Sequence, residues 1–210
     1  MKFVHNKTTF NIELPKNGDF YNRLSLRKKF YELDLLEYIK KNAKHGGIYI
    51  DVGGGWGNHS IYFRKYLADR VLSIEPVNFK LLEHNIKLNN LDIQILPFGC
   101  GDKDGVASHV ERGQLKSGIG NIKIKTLDSI YEEHGNNEPV NFIKIDVEGW
   151  EYKVVSGAIN TIKRFSPDIS MEDAKQWHKQ YVDAENILTD LGYKVLGCFC
   201  NTPTYYLSKR

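Results

Sequence analysis

The stretch YIDVGGGWGN, residues 49–58, decides the fold of this 210-residue chain. A short run typical of a buried strand, Ile48–Val52, leads into it, and a helical pattern begins near Asn58. The alternate glycines between them let the backbone turn tightly and approach a ligand, because no Cβ stands in the way. The free N–H groups of the helix start then face an anionic part of that ligand. The stretch predicts a strand–turn–helix unit that binds a ligand at the end of a β-strand.

The spacing of the glycines separates two classes of cofactor. A dinucleotide fingerprint would place its third glycine at position 58, which is Asn58, whereas the glycine stands at 57. The spacing Asp-x-Gly-x-Gly-x-Gly is typical of methyltransferases that use S-adenosylmethionine. The helix start would face the carboxylate of that cofactor, and Asp51 would receive its α-ammonium group or an ordered water. We therefore predict S-adenosylmethionine as the cofactor, with these residues binding it: Asp51, Gly53, Gly55, Gly57 and Asn58.

Strand-like and helical patterns alternate over most of the remaining chain. Val140–Val147 is the strongest strand-like run, and Tyr193–Phe199 with Thr204–Ser208 predicts a hairpin. Such alternation predicts an α/β fold with helices on both faces of the sheet. We expect a doubly wound, mainly parallel seven-stranded sheet with a C-terminal antiparallel hairpin, the Rossmann-like fold of class I methyltransferases.

The sequence contains no repeats, low-complexity tracts or linkers, and this predicts one domain. Residues 1–45 are predicted to be an N-terminal lead-in and helix that pack on the domain, and residues 46–210 to be the S-adenosylmethionine-dependent methyltransferase domain. We expect the first 25 residues to be extended and Gly99–Gly120 to be irregular. One helix each is expected over Leu26–Ala43 and Trp150–Arg164.

Further cofactor contacts are predicted after the second and third strands. Glu75 ends the second strand, where a carboxylate can accept hydrogen bonds from both hydroxyls of a ribose. Enzymes that bind NAD use the same device, so Glu75 predicts an adenosine ribose without choosing the cofactor. Pro76 follows it, and Phe98 and Gly99 lie where the adenine would rest. Asp146, at a later strand end next to the glycine turn, is also predicted to contact the cofactor.

Acidic residues end the fourth and fifth predicted strands. Asp146 and Glu148 follow one strand, and Glu172 and Asp173 follow the next. Ligands of open α/β sheets bind at the carboxyl ends of the strands, so this cluster is predicted to orient the substrate. Asp146, Glu172 and Asp173 are also an alternative site for a divalent metal such as Mg²⁺, which prefers carboxylates and water. The metal-free interpretation is favoured, because no dedicated ligand spacing indicates a metal.

Four motifs taken together resemble the FkbM-type methyltransferases: DVGGGWGNH at 51–59, IEP at 74–76, KIDVEG at 144–149 and ME at 171–172. The resemblance runs from about residue 47 to 192 and departs at Gly54, where alanine is common in the family. It implies a class I enzyme that methylates hydroxyl oxygens, often of sugars, glycans or natural products. The first 45 residues and Gly99–Gly120 match nothing in the family, and we expect them to supply acceptor specificity.

The resemblance predicts an O-methyltransferase that acts on a hydroxyl of a sugar or glycan, with a deoxyhexose among the candidates. A sugar hydroxyl must lose its proton during attack, and a positioned carboxylate or histidine can contribute about 10²–10⁴-fold. We expect Asp146 to be the base or to orient the hydroxyl. The alternatives for this role are Glu148, Glu172 and His109.

Other functions remain open at this point. The acceptor could be a small natural product or an RNA ribose, and an NAD-dependent oxidoreductase or a nonenzymatic binding domain would share the fold. With 29 basic and 26 acidic side chains the net charge is +3, too balanced to indicate nucleic acid by itself. No apolar run approaches the roughly 18 residues of a membrane helix, and no signal peptide is recognised. We therefore expect a cytoplasmic protein without a membrane span; membership of a larger multidomain glycan-modifying protein is left open.

Overall fold

The computed structural model describes residues 1–16, 19–109, 115–118, 120–172 and 180–210. In chain order, the helices and strands within these residues are β1 (Lys2–His5), β2 (Thr8–Asn11), α1 (Asp19–Arg27), α2 (Leu33–Asn42), β3 (Ile48–Val52), α3 (Asn58–Tyr66), β4 (Arg70–Ile74), α4 (Phe79–Leu88), β5 (Gln94–Leu96), β6 (Gly99–Cys100), β7 (Gly105–His109), β8 (Leu115–Ser117), β9 (Ile122–Lys125), α5 (Leu127–His134), β10 (Val140–Ile145), α6 (Glu151–Ser156), α7 (Ile159–Phe165), β11 (Asp168–Glu172), α8 (Gln180–Asp190), β12 (Lys194–Phe199) and β13 (Thr204–Ser208).

The centre of the fold is a seven-stranded sheet with the order β12-β13-β11-β10-β3-β4-β5. The strands from β11 to β5 in this order run parallel, and β13 is antiparallel to both of its neighbours. Every residue of β3 and β10 is buried, as in parallel strands that are covered on both faces. The predicted α/β fold, with its mainly parallel sheet and C-terminal hairpin, is confirmed.

Two hydrophobic clusters cover the two faces of the sheet. Side chains alternate along β3, so that Ile48, Ile50 and Val52 belong to the cluster under α5–α8. Tyr49 belongs to the opposite cluster, which contains α2–α4 and the β1–β2 hairpin. The face that carries Tyr49 also carries Asp51, two residues further on.

The chain changes direction across the sheet between β3 and β10. The strands β4 and β5 lie on one side of β3, whereas β10 and β11 lie on the other. In open α/β sheets such a switch point leaves a crevice at the carboxyl ends of the strands, where ligands bind. The turns after β3 and β10 meet closely there, because a Cβ on Gly53 would lie only 1.8 Å from the backbone oxygen of Asp146. A glycine is therefore required at position 53.

Several predicted elements were wrong in detail. The helix expected over Leu26–Ala43 is two helices, because Lys28 and Glu32 adopt left-handed backbone conformations around the completely buried Phe30. The helix expected over Trp150–Arg164 is also divided, at Gly157, where a Cβ would lie 2.0 Å from the backbone oxygen of Gly101.

Two segments are also more regular than the sequence predicted. The extended lead-in contains the antiparallel β1–β2 hairpin and helix α1. The segment Gly99–Gly120, expected to be irregular, contributes β6, β7 and β8, which join β9 in a four-stranded sheet. Within the described residues, no helix is both long and apolar enough to span a membrane.

Three asparagine side chains fasten the lead-in to the rest of the protein. Each amide imitates a peptide group and pairs with both the N–H and the C=O of one backbone residue. Asn58 pairs with Tyr31, at 2.9 Å for both hydrogen bonds. Asn89 pairs with Asn11 in the same way. Asn85 pairs with Glu13 and also donates to the backbone oxygen of Trp56, at 2.7 Å.

We predict that Asn85→Ala lowers the free energy of unfolding by about 1–3 kcal/mol, since buried backbone groups lose their partners. Asn85 is completely buried, so little water can replace its amide. Urea denaturation measures the change. Asn160→Ala, at an exposed position of α7, is the matched control and should stay within about 0.5 kcal/mol. Equal stabilities of the two variants would contradict the anchoring role of Asn85.

Candidate functional site

A cavity of about 460 Å³ occupies the switch point at the carboxyl ends of the strands. Its walls are the turn after β3, the turn after β4, the start of β6 and the turn after β10. Two tyrosines of the lead-in, Tyr21 and Tyr31, complete the lining. The volume lies within the range of about 300–1,000 Å³ that small-molecule sites occupy.

The glycine turn forms one wall and is shaped for a close ligand. Gly55 has a left-handed backbone (φ 54°), and a Cβ placed there would meet no atom within 4 Å. The turn is held by hydrogen bonds from the N–H groups of Gly53 and Gly54 to the backbone oxygen of Ile74 at 3.0 and 3.1 Å. Open space in front of Gly55 is what a bound cofactor would require.

Gly57, which the sequence predicted as a cofactor contact, does not line the cavity. It is buried behind the turn, and a Cβ there would lie 2.8 Å from Cδ1 of Leu82. The glycine at this position therefore serves the packing of α3 against α4 rather than a ligand.

Glu75 lines the cavity and organises its wall. One carboxylate oxygen accepts from the N–H of Gly55, and the other accepts from the N–H groups of Val77 and Asn78, all at 2.8 Å. A carboxylate has about four acceptor positions, so about one remains for a ligand while these bonds persist. The predicted contact with both ribose hydroxyls would require one of the three hydrogen bonds from the backbone to Glu75 to break.

Two predicted cofactor contacts, Asp51 and Asn58, make hydrogen bonds within the protein. Asp51 is completely buried, and its Oδ2 accepts from the hydroxyl of Ser60 at 2.5 Å. It does not line the cavity, so the structure does not place it for the predicted contact with the α-ammonium of the cofactor. The amide of Asn58 makes one hydrogen bond to the N–H and one to the C=O of Tyr31. Asp51 thus supports the site from outside the cavity, whereas Asn58 lies in its wall, as predicted for a cofactor contact.

Lys144 lines the cavity, and sequence reasoning did not single it out as a site residue. Its ammonium lies 3.2 Å from Oδ1 of Asp51 and 3.3 Å from Oδ2 of Asp146, and it donates to the backbone oxygen of Gly53 at 2.9 Å. Burial alone would lower the pKa of Lys144, but the charges of Asp146 and Asp51 outweigh it and raise that pKa. Lys144 therefore remains protonated. A lone lysine in an apolar strand was the available signal, because a buried cation requires acidic partners.

The register of the strands explains this contact. Lys144 on β10 stands directly beside Asp51 on β3, which stands beside Ser73 on β4. On the other side, Lys144 stands beside Ser170 on β11. These four buried side chains form a polar row across an otherwise apolar sheet.

Acidic side chains lie near Lys144 where it lines the cavity. Glu148 is exposed, and the side chain of Asp146 is 32% exposed. Burial raises the pKa of Glu172, as do the charge of Asp146 and a hydrogen bond with it, so Glu172 holds a proton near neutral pH. Burial and the charges of Asp146 and Glu151 raise the pKa of Glu148 to about 7. Glu148 also has a left-handed backbone (φ 54°), a strain that is often found at functional sites.

Of the remaining predicted residues, some line the cavity and others do not. Pro76 and Gly99 line the cavity, together with Trp150, which the sequence did not indicate as a site residue. Phe98, predicted to contact the adenine, does not line it; its ring packs on the core and lies 5.6 Å from Nζ of Lys125.

Two predicted residues fall outside what the structure describes, namely the side chain of His109 and all of Asp173. The alternative metal site at Asp146, Glu172 and Asp173 is therefore described only in part. In the described ranges, no group of three or more histidine, cysteine, aspartate or glutamate side chains is placed to hold a metal ion.

Residues of the lead-in cover part of the cavity and pack against the glycine turn. Trp56 of the glycine turn packs edge-on against Tyr21, with ring centroids 5.5 Å apart, and lies 6.1 Å from the ring of Tyr31. Next to Tyr31, Glu32 lies 3.2 Å from Nε2 of the buried His59 at the start of α3. These contacts place lead-in residues, which match no motif, directly beside the cavity.

Comparisons with known proteins agree with this geometry. The model of the methyltransferase FkbM domain matches residues 51–195. A 62-residue stretch is 44% identical to the ribosomal protein L11 methyltransferase of Caldicellulosiruptor bescii and covers 29% of this chain and 20% of that protein.

Solved structures show the same fold. Methyltransferase FkbM from Methylobacillus flagellatus KT superposes with a TM-score of 0.59 at 18% identity, over 80% of this chain and 45% of that one. A Streptococcus mutans protein solved in complex with SAH gives a TM-score of 0.51 at 11% identity, over 84% of this chain and 96% of that one.

This chain thus spans less than half the length of both the L11 methyltransferase and the FkbM structure. The family match is nevertheless broad, since it begins at Asp51 of the glycine turn and includes every strand from β4 to β11. The chain belongs to the FkbM family of S-adenosylmethionine-dependent methyltransferase domains.

Proposed function

We propose that this chain is an S-adenosylmethionine-dependent O-methyltransferase and that its acceptor is a hydroxyl of a sugar or glycan. The observation that carries the proposal is the acidic cluster around Lys144 at the rim of the cofactor cavity. An acceptor oxygen that must lose a proton requires a positioned base, and this cluster supplies one. Family membership supports methyl transfer over the alternative oxidoreductase function.

The cavity suits the proposed cofactor. The open space before Gly55 admits a ligand, and Glu75 offers a remaining acceptor position for a ribose hydroxyl. Gly53, Gly99 and Pro76 complete the walls that would hold it. When bound, S-adenosylmethionine supplies a methyl group that is already activated by its sulfonium, so the protein mainly has to position the acceptor.

Asp146 and Glu148 have separate roles, the first in orienting the acceptor hydroxyl and the second in accepting its proton. Asp146 is held by Lys144 on one side and by Glu172 on the other, so it is suited to accept a hydrogen bond from the acceptor hydroxyl and orient it. Glu148 also lines the cavity, and its pKa near 7, raised by burial and by Asp146, suits a general base at neutral pH. The hydroxyl proton moves to the carboxylate of Glu148.

A ribose hydroxyl of RNA is the second candidate acceptor. It belongs to the same chemical class, and the pairing of Lys144 with acids at the site is the arrangement expected for ribose methylation. A small natural product with a free hydroxyl would use the same groups. Incubation with labelled cofactor and panels of glycosides, RNA and hydroxylated natural products, followed by mass spectrometry, separates these acceptors; parallel reactions with EDTA test metal dependence.

We predict that Glu148→Gln lowers kcat by about 10²–10⁴-fold, because the general base is lost. In the unmodified protein kcat should rise as the pH increases through about 7, as Glu148 loses its proton. The variant should lack this rise and keep its affinity for the cofactor. Steady-state kinetics between pH 5.5 and 9, chosen to span that value, measure both effects.

Glu132→Gln, at an exposed position of α5, is the matched control and should leave the pH profile unchanged. If Glu148→Gln kept the same pH profile as the unmodified protein, Glu148 would not be the base.

We predict that Lys144→Met lowers the free energy of unfolding by about 3–5 kcal/mol, because it leaves the buried Asp51 without its counter-charge. Adding Asp51→Asn to this variant should recover part of the loss, since the uncompensated charge is then removed. Chemical denaturation measures all three proteins, with the exposed Lys65→Met as control. A double variant that is no more stable than Lys144→Met would argue against a charge effect.

A further inference from the structure

A second cavity, of about 560 Å³, adjoins the cofactor cavity. It lies between α1, the turn that joins α1 to α2, the start of α2, and the turn between β12 and β13. Tyr31 lines both cavities, so they meet at its side chain. The charge of Asp146 contributes to the raised pKa of both Tyr31 and Cys200, which line the second cavity, after the larger effect of burial.

The walls of this cavity carry more positive than negative charge. Arg23, Arg27 and Lys29 line it and are exposed, and no ion pair involving them is found in the described ranges of the chain. Two acids, Glu32 and Asp34, also line it, so three cationic side chains face two acidic ones; the carboxylate of Glu32 lies 3.2 Å from Nε2 of His59.

The start of α2 adds to this charge. The ten-residue helix begins at Leu33, and Glu32 before it provides no side-chain cap for its free N–H groups. Uncapped N–H groups at a helix start carry partial positive charge and favour an anion. Across the cavity, Asn201 and Thr202 offer further polar groups. The three cationic side chains and the helix start therefore act on the same space.

We propose that this second cavity, the basic cavity, binds a phosphate group of the acceptor, so that the acceptor is a phosphorylated sugar. The proposal rests on the proposed function for the identity of the sugar, whereas the phosphate is inferred from the charge. Arginine binds phosphate with two parallel hydrogen bonds, and two arginines line this cavity. The phosphate would hold the sugar so that its hydroxyl reaches Asp146 past Tyr31.

Calorimetric titration of the full chain tests this proposal with four ligands: glucose 1-phosphate, UDP-glucose, methyl glucoside and glucuronate. We expect one or both phosphorylated sugars to bind at least tenfold more tightly than methyl glucoside and glucuronate. Their affinity should fall as the salt concentration increases. The two phosphorylated ligands distinguish a sugar phosphate from a nucleoside diphosphate sugar. Binding of both phosphorylated sugars no tighter than that of methyl glucoside or glucuronate would overturn the proposal.

The variant Arg23→Gln/Arg27→Gln removes the two arginines from exposed positions, where such changes seldom disturb folding. It should weaken binding of the preferred phosphorylated sugar at least tenfold, whereas Lys163→Gln, an exposed change on α7, should not. Unchanged binding by the double arginine variant would also overturn the proposal.

Titration of the same proteins with S-adenosylhomocysteine separates the two proposals. We expect it to bind the unmodified protein and the double arginine variant equally. If S-adenosylhomocysteine binds but the phosphorylated sugars bind no more tightly than methyl glucoside or glucuronate, the phosphate-site proposal fails and the methyltransferase proposal stands. If the phosphorylated sugars bind through the arginines but the cofactor product does not bind, the proposed function fails and the phosphate site stands.

Discussion

The ion pairs of Lys144 are the interaction on which the candidate site depends. The ammonium joins Asp51 on β3 to Asp146 after β10, and it also binds the backbone oxygen of Gly53 in the glycine turn. It therefore connects the two strand ends on either side of the switch point. A buried charge costs several kcal/mol unless it is paired, so this contact constrains all three partners together. The cofactor turn and the acids thus keep one relative position.

Backbone and side chains have separate roles around this centre. The backbone forms the wall for the cofactor, and Glu75 fixes that wall by accepting three backbone N–H groups. Charged side chains occupy the opposite rim, where Asp146 and Glu148 face the cavity. The lead-in covers both through Tyr31, which Asn58 holds in place.

The sequence predicted what depends on local pattern and missed what depends on packing. Alternating apolar runs and the glycine spacing were sufficient for the sheet, its final hairpin and the turn at Gly55, which lines the cavity. The division of the helix at 28–32 follows from burial of Phe30, a tertiary contact without local signal. Asp51 was expected to face the ligand, but strand register directs it to Lys144. That register was not available from spacing alone.

The most direct test of the account is calorimetric titration of Gly55→Ala with S-adenosylhomocysteine. A Cβ at this position enters the open space of the cavity, so we predict binding at least tenfold weaker than in the unmodified protein. Gly192→Ala is the matched control, because Gly192 also has a left-handed backbone (φ 88°) and no atom within 4 Å of a Cβ, but lies outside the cavity. It should bind normally. Equal affinity of all three proteins, or no binding to any, would contradict the assignment of this cavity to the cofactor.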